Sequence, residues 1–221
     1  MGIDLHWVSG SPFSWRVQLA LEVKALAYHS HLLQMSRGEH RTPAFLAMNP
    51  RGQVPVLRDG DDVVCESIAI LAYLDRRYPT PPLFGETPAE TGRVWQAVQE
   101  CSLHLDAAGD QFILPFYFDR SVEQEGQIRA ALPQVDAELS RWERALEAAP
   151  YLALPHLSAA DITLYPMVKS VLRAVSKPEA ARFDHGFLPF ERRFPRLQAW
   201  MSRIEALPGY ERTYPPHWRN G

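Results

Sequence analysis

The chain has 221 residues, of which 46% are hydrophobic and 22% charged, and its formal net charge is −3, as is typical of a soluble globular protein. This composition provides no basic surface for a nucleic acid or an anionic membrane, and no apolar stretch is long enough to span a bilayer. The two cysteines, Cys65 and Cys101, are far apart and predict no disulfide framework. The N-terminus lacks the basic and apolar regions of a signal peptide, so we expect a cytoplasmic protein.

The beginning of the chain predicts a parallel β-α-β unit. Ile3–Val8 alternates apolar and polar side chains and predicts a strand, which Ser9–Pro12 ends. A helix is predicted from Phe13 or Ser14, and a second strand at Tyr28–Leu33. Two strands separated by a single helix favour parallel pairing.

A short helix and a hairpin follow. Thr42 as the cap and Pro43 at the first helical position predict the helix. Arg58–Asp61 lies between two apolar runs and predicts a hairpin turn. The next helix is predicted to open at Glu66-Ser67. The order of elements in the first third of the chain is therefore β-α-β-α-β-β-α.

Two points in this region could bind a short peptide. A cis bond at Val54-Pro55 would turn the backbone of Val54 toward a groove, where an extended ligand could pair with it; a trans proline opening an edge strand is the alternative. The helix start at Glu66-Ser67 offers unpaired N–H groups and a positive dipole end to a carboxylate. Glu66 could also pair with an ammonium group, although such residues often only cap a helix.

A proline-rich segment divides the chain. Residues 81–88 follow the last strand and helix of the first part and predict a linker between a domain at 1–80 and a domain at 89–221. The second domain is predicted to be all-helical because strand patterns stop there. Its long helical patterns lie at 89–110, 123–149, 157–175 and 195–207.

Four segments resemble the cytosolic glutathione transferases. They are SPFSWRVQLAL (Ser11–Leu21), NPRGQVPVL (Asn49–Leu57), ESIAILAYLDRRYP (Glu66–Pro79) and LSAADITLYP (Leu157–Pro166). Their order and spacing extend the resemblance over the whole chain. The resemblance implies an α/β plus all-α fold, in which a thioredoxin-like glutathione-binding domain precedes a helical domain. It also implies a homodimeric detoxification enzyme with glutathione as co-substrate.

The resemblance assigns roles to the two peptide-binding points. Val54, next to a cis Pro55, would pair with the cysteinyl backbone of glutathione. Glu66 and Ser67 would hold its γ-glutamyl end.

Two further residues match positions that often contact the glycine end of glutathione, namely His40 and Gln53. A solvated loop histidine is the alternative for His40, and the adjacent Arg41 could make the contact instead.

Family members activate the thiol with tyrosine, serine or cysteine. Tyr28 is too late in the chain for this role, and no cysteine precedes Cys65. Ser11, in Ser-Pro-Phe between the first strand and helix, matches the catalytic place of the serine-type classes. Ser14 and then Ser9 are the alternatives, and Ser11 could equally cap the helix, since one hydroxyl can both donate and accept.

The second substrate is expected to be a hydrophobic electrophile bound between the domains. Candidates to line its pocket are Phe13, Phe112, Phe116 and Tyr165. Packing in the helical core is the alternative for Phe112 and Phe116. The eight histidines show no metal-ligand spacing, so we expect neither a metal nor a permanently bound cofactor.

Three functions remain open. The first is a glutathione transferase whose thiolate attacks an electrophilic carbon or a peroxide. The second is an isomerase of the maleylacetoacetate type, because Ser14-Trp15-Arg16-Val17 resembles the zeta class; Pro12-Phe13 departs from that class and resembles tau-type patterns. The third is a non-catalytic glutathione-binding scaffold of the same fold.

Overall fold

A computed structural model of the chain describes residues 2–219; residues 1, 220 and 221 of the predicted domains lie outside the described part. The chain divides into two compact units, one of residues 2–83 with 207–219, and one of residues 84–206. The predicted linker lies at this division. The last stretch, 207–219, was predicted in the helical domain, but it belongs to the first unit because its aromatic residues pack on Trp15.

The first unit is built on a four-stranded mixed sheet in which the strand order is β2-β1-β3-β4. The strands are β1 Ile3–Trp7, β2 Tyr28–Leu32, β3 Val56–Asp59 and β4 Asp62–Cys65. β1 pairs parallel with β2 and antiparallel with β3, and β3 and β4 form the predicted hairpin. The thioredoxin-like prediction is confirmed.

The described residues form ten α-helices. They are α1 Pro12–Val23, α2 Pro43–Met48, α3 Ser67–Arg77, α4 Pro88–Glu100, α5 Ala107–Tyr117, α6 Glu125–Ala145, α7 Ala159–Val175, α8 Phe190–Arg193, α9 Pro195–Glu205 and α10 Tyr210–Thr213. None of the helices in the described range is long and apolar enough to cross a membrane. Short 3₁₀ helices lie at Met35–Arg37, Glu39–Arg41, Pro178–Phe183 and Pro216–Trp218.

Local capping explains where several helices begin. Thr42 accepts a hydrogen bond from the backbone N–H of Phe45, and Pro43 is the first helical residue, as predicted. The single helix predicted over 89–110 is interrupted, because α4 and α5 are separated by a π-helical stretch at Cys101–Asp106. At α7, Ser158 and Asp161 form a capping box.

Asp4 on β1 links three strands. Its Oδ1 accepts a hydrogen bond from His31 Nε2 on β2 at 2.8 Å, and its Oδ2 accepts one from Arg58 Nη2 on β3 at 2.8 Å. These two partners lower the pKa of Asp4 to about 2, the hydrogen bond from His31 having the larger effect.

Asp4 is therefore expected to make stability depend on pH in the acid range. Its folded pKa lies below its ordinary value, so its contribution is full above about pH 4 and is lost as the pH falls toward about 2. At neutral pH, Asp4→Asn should lower the free energy of unfolding by about 1 kcal/mol, since both partners are half-exposed and screened. Urea unfolding of both proteins should show this difference shrinking below about pH 4 and vanishing below about pH 2; a difference independent of pH would contradict the assignment.

Candidate glutathione site

The turn between β1 and α1 presents Ser11 at the start of the helix. Ser11 is the N-cap of α1, and its Oγ accepts a hydrogen bond from the backbone N–H of Ser14 at 3.2 Å. The residue is partly exposed. This bond uses a lone pair of the hydroxyl and not its proton. Ser11 can therefore cap the helix and still donate a hydrogen bond to an anion at the positive end of the helix dipole.

The two alternative serines lie in different surroundings. The side chain of Ser14 has no exposed surface, and its Oγ has no hydrogen-bond partner among the described residues. The Oγ of Ser9 lies 2.6 Å from Nδ1 of His217, in the C-terminal part of the chain. Of the three, Ser11 is the one at the helix start that has a partly exposed side chain.

The loop before β3 exposes the backbone of Val54. The Val54-Pro55 bond is cis, which was one of the two conformations left open by the sequence. Within the described chain, no hydrogen bond involves the backbone N–H or C=O of Val54. Buried Asn49 shapes this loop, because its side chain donates to the C=O of Gln53 at 2.8 Å and accepts from the N–H of Arg51 at 3.1 Å.

His40 lies against the same loop. Gly52 adopts a left-handed conformation with φ +64°, and a Cβ there would lie 3.0 Å from the carbonyl oxygen of His40 and 3.0 Å from Nη1 of Arg41. Because of this close approach, the 3₁₀ turn that contains His40 and Arg41 lies next to Gln53 in the chain's fold. Gln53 is exposed. Nδ1 of His40 is buried and has no hydrogen-bond partner in the described residues.

Glu66 and Ser67 lie at the start of α3. Glu66 is exposed, its side chain makes no capping hydrogen bond, and its backbone has φ +69° and ψ 119°. A glutamate in this region is strained, and such strain is concentrated at functional sites. Ser67 is nearly buried, and its hydroxyl makes no hydrogen bond to another described residue.

The comparisons with known proteins identify the family. Residues 5–82 match the N-terminal domain of the glutathione S-transferases, and residues 125–203 match the C-terminal domain. The chain is 32% identical to a probable maleylacetoacetate isomerase of Vibrio cholerae over 231 aligned positions, covering 97% of this chain and 96% of that protein. The chain belongs to the glutathione S-transferase family.

Other relatives agree with this assignment. Glutathione S-transferase A of the fish Pleuronectes platessa is 29% identical over 98% of this chain and 92% of its own length. The crystal structure of a glutathione S-transferase from the Antarctic clam Laternula elliptica is 28% identical and superimposes with a TM-score of 0.82, covering all of this chain and 95% of that one.

The strain at Glu66 of this glutathione S-transferase can be tested by two substitutions. Glycine adopts the observed φ without cost, while alanine remains strained. Glu66→Gly should therefore be more stable than Glu66→Ala by about 1 kcal/mol, after allowing for the greater unfolded-state entropy of glycine. Urea unfolding measures this difference, and equal stability of the two variants would contradict the strain.

The four residues predicted for the second-substrate pocket have different environments. Phe13 is partly exposed and lies under the guanidinium of Arg16, whose Cζ is 5.0 Å from the ring centroid. Phe112, Phe116 and Tyr165 have no exposed surface. The two phenylalanines pack on each other, with 5.4 Å between their ring centroids, so these three side chains have core environments.

Cys65 precedes Glu66, and burial, followed by the charge of Glu66, raises the pKa of its thiol, which makes it a poor nucleophile at neutral pH. Among residues 2–219, no group of three or more potential ligands could hold a metal ion.

Sequence reasoning missed two contributors to this region. Asn49 was included only as the start of a matching segment, although its side chain organises the loop that carries Val54. No sequence pattern assigns a role to His217. The Asn-Pro-Arg-Gly sequence is a turn signal that could have indicated Asn49, whereas nothing local indicates His217.

Proposed function

We propose that this glutathione S-transferase joins glutathione to small hydrophobic electrophiles, and that Ser11 stabilises the thiolate. The observation that carries the proposal is the cap geometry of Ser11. Its Oγ accepts the Ser14 N–H and keeps its own proton for a second partner at the start of α1. A glutathione thiol placed there meets a hydroxyl donor and the positive end of a helix dipole.

The remaining contacts orient the tripeptide. The unpaired backbone of Val54, next to cis Pro55, pairs with the cysteinyl unit of glutathione as an added strand would. Glu66 accepts from the ammonium group of the γ-glutamyl end, and Ser67 with the N–H groups at the start of α3 binds its carboxylate.

The glycine end is assigned to the adjoining loop. His40 and Gln53 contact the glycine carboxylate there, and the close packing of Gly52 against His40 supports their common location.

The chemistry follows from the state of the thiol. A free cysteine thiol has a pKa of about 8.5, so only a few per cent is thiolate at neutral pH. Lowering the pKa by roughly two units, or about 2.7 kcal/mol, makes most of the bound thiol nucleophilic. The sulfur then forms a bond to the electrophilic carbon as the leaving group departs. The same thiolate can attack a hydroperoxide and break its O–O bond, which gives an alcohol and the sulfenic acid of glutathione. A second glutathione then forms the disulfide with that sulfur and releases water.

The proposal also includes the place where the electrophile binds, the oligomeric state and the cellular location. The electrophile binds next to Phe13, the one predicted pocket residue that is partly exposed. The protein acts as a cytoplasmic homodimer in detoxification, with glutathione as a co-substrate and no permanently bound cofactor.

An isomerase is the second candidate, and the Vibrio cholerae relative supports it, since that protein is named a probable maleylacetoacetate isomerase. In such a reaction, glutathione adds to a cis double bond and leaves again after rotation, so none is consumed. Pro12-Phe13 stands where the zeta-type segment has Ser-Cys, which favours the transferase.

The two functions differ in the fate of glutathione. The purified protein should be supplied with glutathione and, separately, an activated aryl halide, an organic hydroperoxide and a cis-unsaturated diketo acid. A transferase consumes one thiol for each conjugate formed, and two for each peroxide reduced. Isomerisation of the diketo acid without loss of thiol would support the isomerase. Binding of glutathione without turnover of any substrate would contradict both and favour a scaffold.

A further inference from the structure

The C-terminal stretch of the first unit is fixed to α1. Nε1 of buried Trp15 donates a hydrogen bond to Oγ1 of Thr213 at 2.8 Å. The same indole packs perpendicular to Tyr214 and Trp218, with ring centroids 5.8 Å and 5.5 Å away. Arg212 adds an ion pair with Glu22, where Nε lies 3.0 Å from Oε2.

This anchoring brings His217 onto the turn between β1 and α1. Nδ1 of His217 lies 2.6 Å from Oγ of Ser9. Gly10 has φ +82°, and a Cβ on it would lie 2.8 Å from Cε1 of His217, so the imidazole lies directly against the backbone. The next residue is Ser11, whose N–H donates to the C=O of Val8 at 3.2 Å across the same turn.

We propose that His217 is a positioning residue for the thiol site and that it acts through Ser9. In the neutral ring with its proton on Nε2, Nδ1 accepts the hydroxyl proton of Ser9. This bond and the contact with Gly10 fix the turn that sets the direction of the Ser11 hydroxyl. The inference rests on the function proposed above, because it assigns His217 to the alignment of that same hydroxyl.

The surroundings of the pair suit this role better than a role in global stability. His217 is exposed and Ser9 partly exposed, so their hydrogen bond adds little to the free energy of unfolding of the whole protein. The residues that hold the stretch in place, Trp15 and Thr213, are buried and hydrogen-bonded to each other, so we expect their contact to persist when His217 is replaced.

Four variants test the proposal, with the thiol pKa of bound glutathione and the pH profile of kcat/KM as readouts. His217→Ala and Ser9→Ala each remove one partner, and each should lower kcat/KM by about three- to tenfold at neutral pH and raise the thiol pKa. The double variant should be no worse than either single one, since both remove the same bond. His217→Asn should restore most of the loss, because its amide oxygen is as far along the side chain as Nδ1. Exposed His156 provides the control, and His156→Ala should match the wild type.

The outcomes separate this inference from the proposed function. If Ser11→Ala raises the thiol pKa while His217→Ala and Ser9→Ala match the wild type, the role of His217 is overturned and the proposed function stands. Additive losses in the double variant would overturn the action through Ser9. If Ser11→Ala itself leaves the thiol pKa unchanged, both the proposed function and this inference are overturned.

Discussion

Replacing Ser11 with alanine is expected to lower kcat/KM for conjugation by about 10- to 100-fold near pH 6.5, as expected for the loss of a hydrogen bond to a charged group. The loss should shrink as the pH rises above about 9, because the thiol of bound glutathione then ionises without help. Steady-state kinetics over this range measures both effects.

The substitution also removes the cap of α1, which costs about 1 kcal/mol of stability. Ser11→Asp separates the two roles, since its carboxylate can accept the Ser14 N–H but repels a thiolate. This variant should be folded and inactive. Ser14→Ala is the matched control, because the Ser14 hydroxyl is fully buried and has no partner among the described residues. A Ser14→Ala variant as impaired as Ser11→Ala would contradict the assignment.

Asp161→Ala is expected to lower the free energy of unfolding by about 3–5 kcal/mol. The carboxylate is fully buried at the start of α7 and accepts four hydrogen bonds. The donors are the backbone N–H of Leu152 at 3.0 Å, the backbone N–H and Oγ of Ser158 at 2.9 Å each, and Nε1 of Trp200 at 2.9 Å. Burial raises the pKa of Asp161, and these hydrogen bonds oppose that rise. Removing the carboxylate leaves four donors without their acceptor, and the two from Ser158 and the one from Trp200 are buried.

Thermal and urea unfolding measure the effect, and the midpoint of thermal unfolding should fall by roughly 10 °C. Asp136→Ala is a suitable comparison in the same unit. Asp136 pairs with Arg193 at 3.1 Å, but both side chains are exposed, so less than about 1 kcal/mol should be lost. Equal losses for the two variants would contradict the role given to the buried carboxylate.

The sequence predicts the parts of the fold that depend on local chemistry. Thr42-Pro43 predicts the start of α2 because a cap and a proline act within one turn of helix. Arg58–Asp61 predicts the hairpin because a short turn with glycine fixes the pairing of its neighbours. Ser11 is a candidate because Ser-Pro-Phe resembles the catalytic place of the serine-type classes.

Features that depend on distant contacts could not be predicted. The cis state of Val54-Pro55 reflects a small energy difference that tertiary packing decides. A positive φ at Glu66 has no local signal, because glutamate does not favour it. His217 and Ser9 are 208 positions apart, and only the packing of the C-terminal aromatic residues on Trp15 brings them together.

Ser11 is proposed to keep the thiol of bound glutathione ionised. The most direct test is to titrate the ultraviolet absorbance of the bound thiolate against pH. The wild type should show a thiol pKa roughly two units below the free value of about 8.5, and Ser11→Ala should return it close to that value. A thiol pKa near 8.5 in the wild type, or a lowered pKa that survives in Ser11→Ala, would contradict the account.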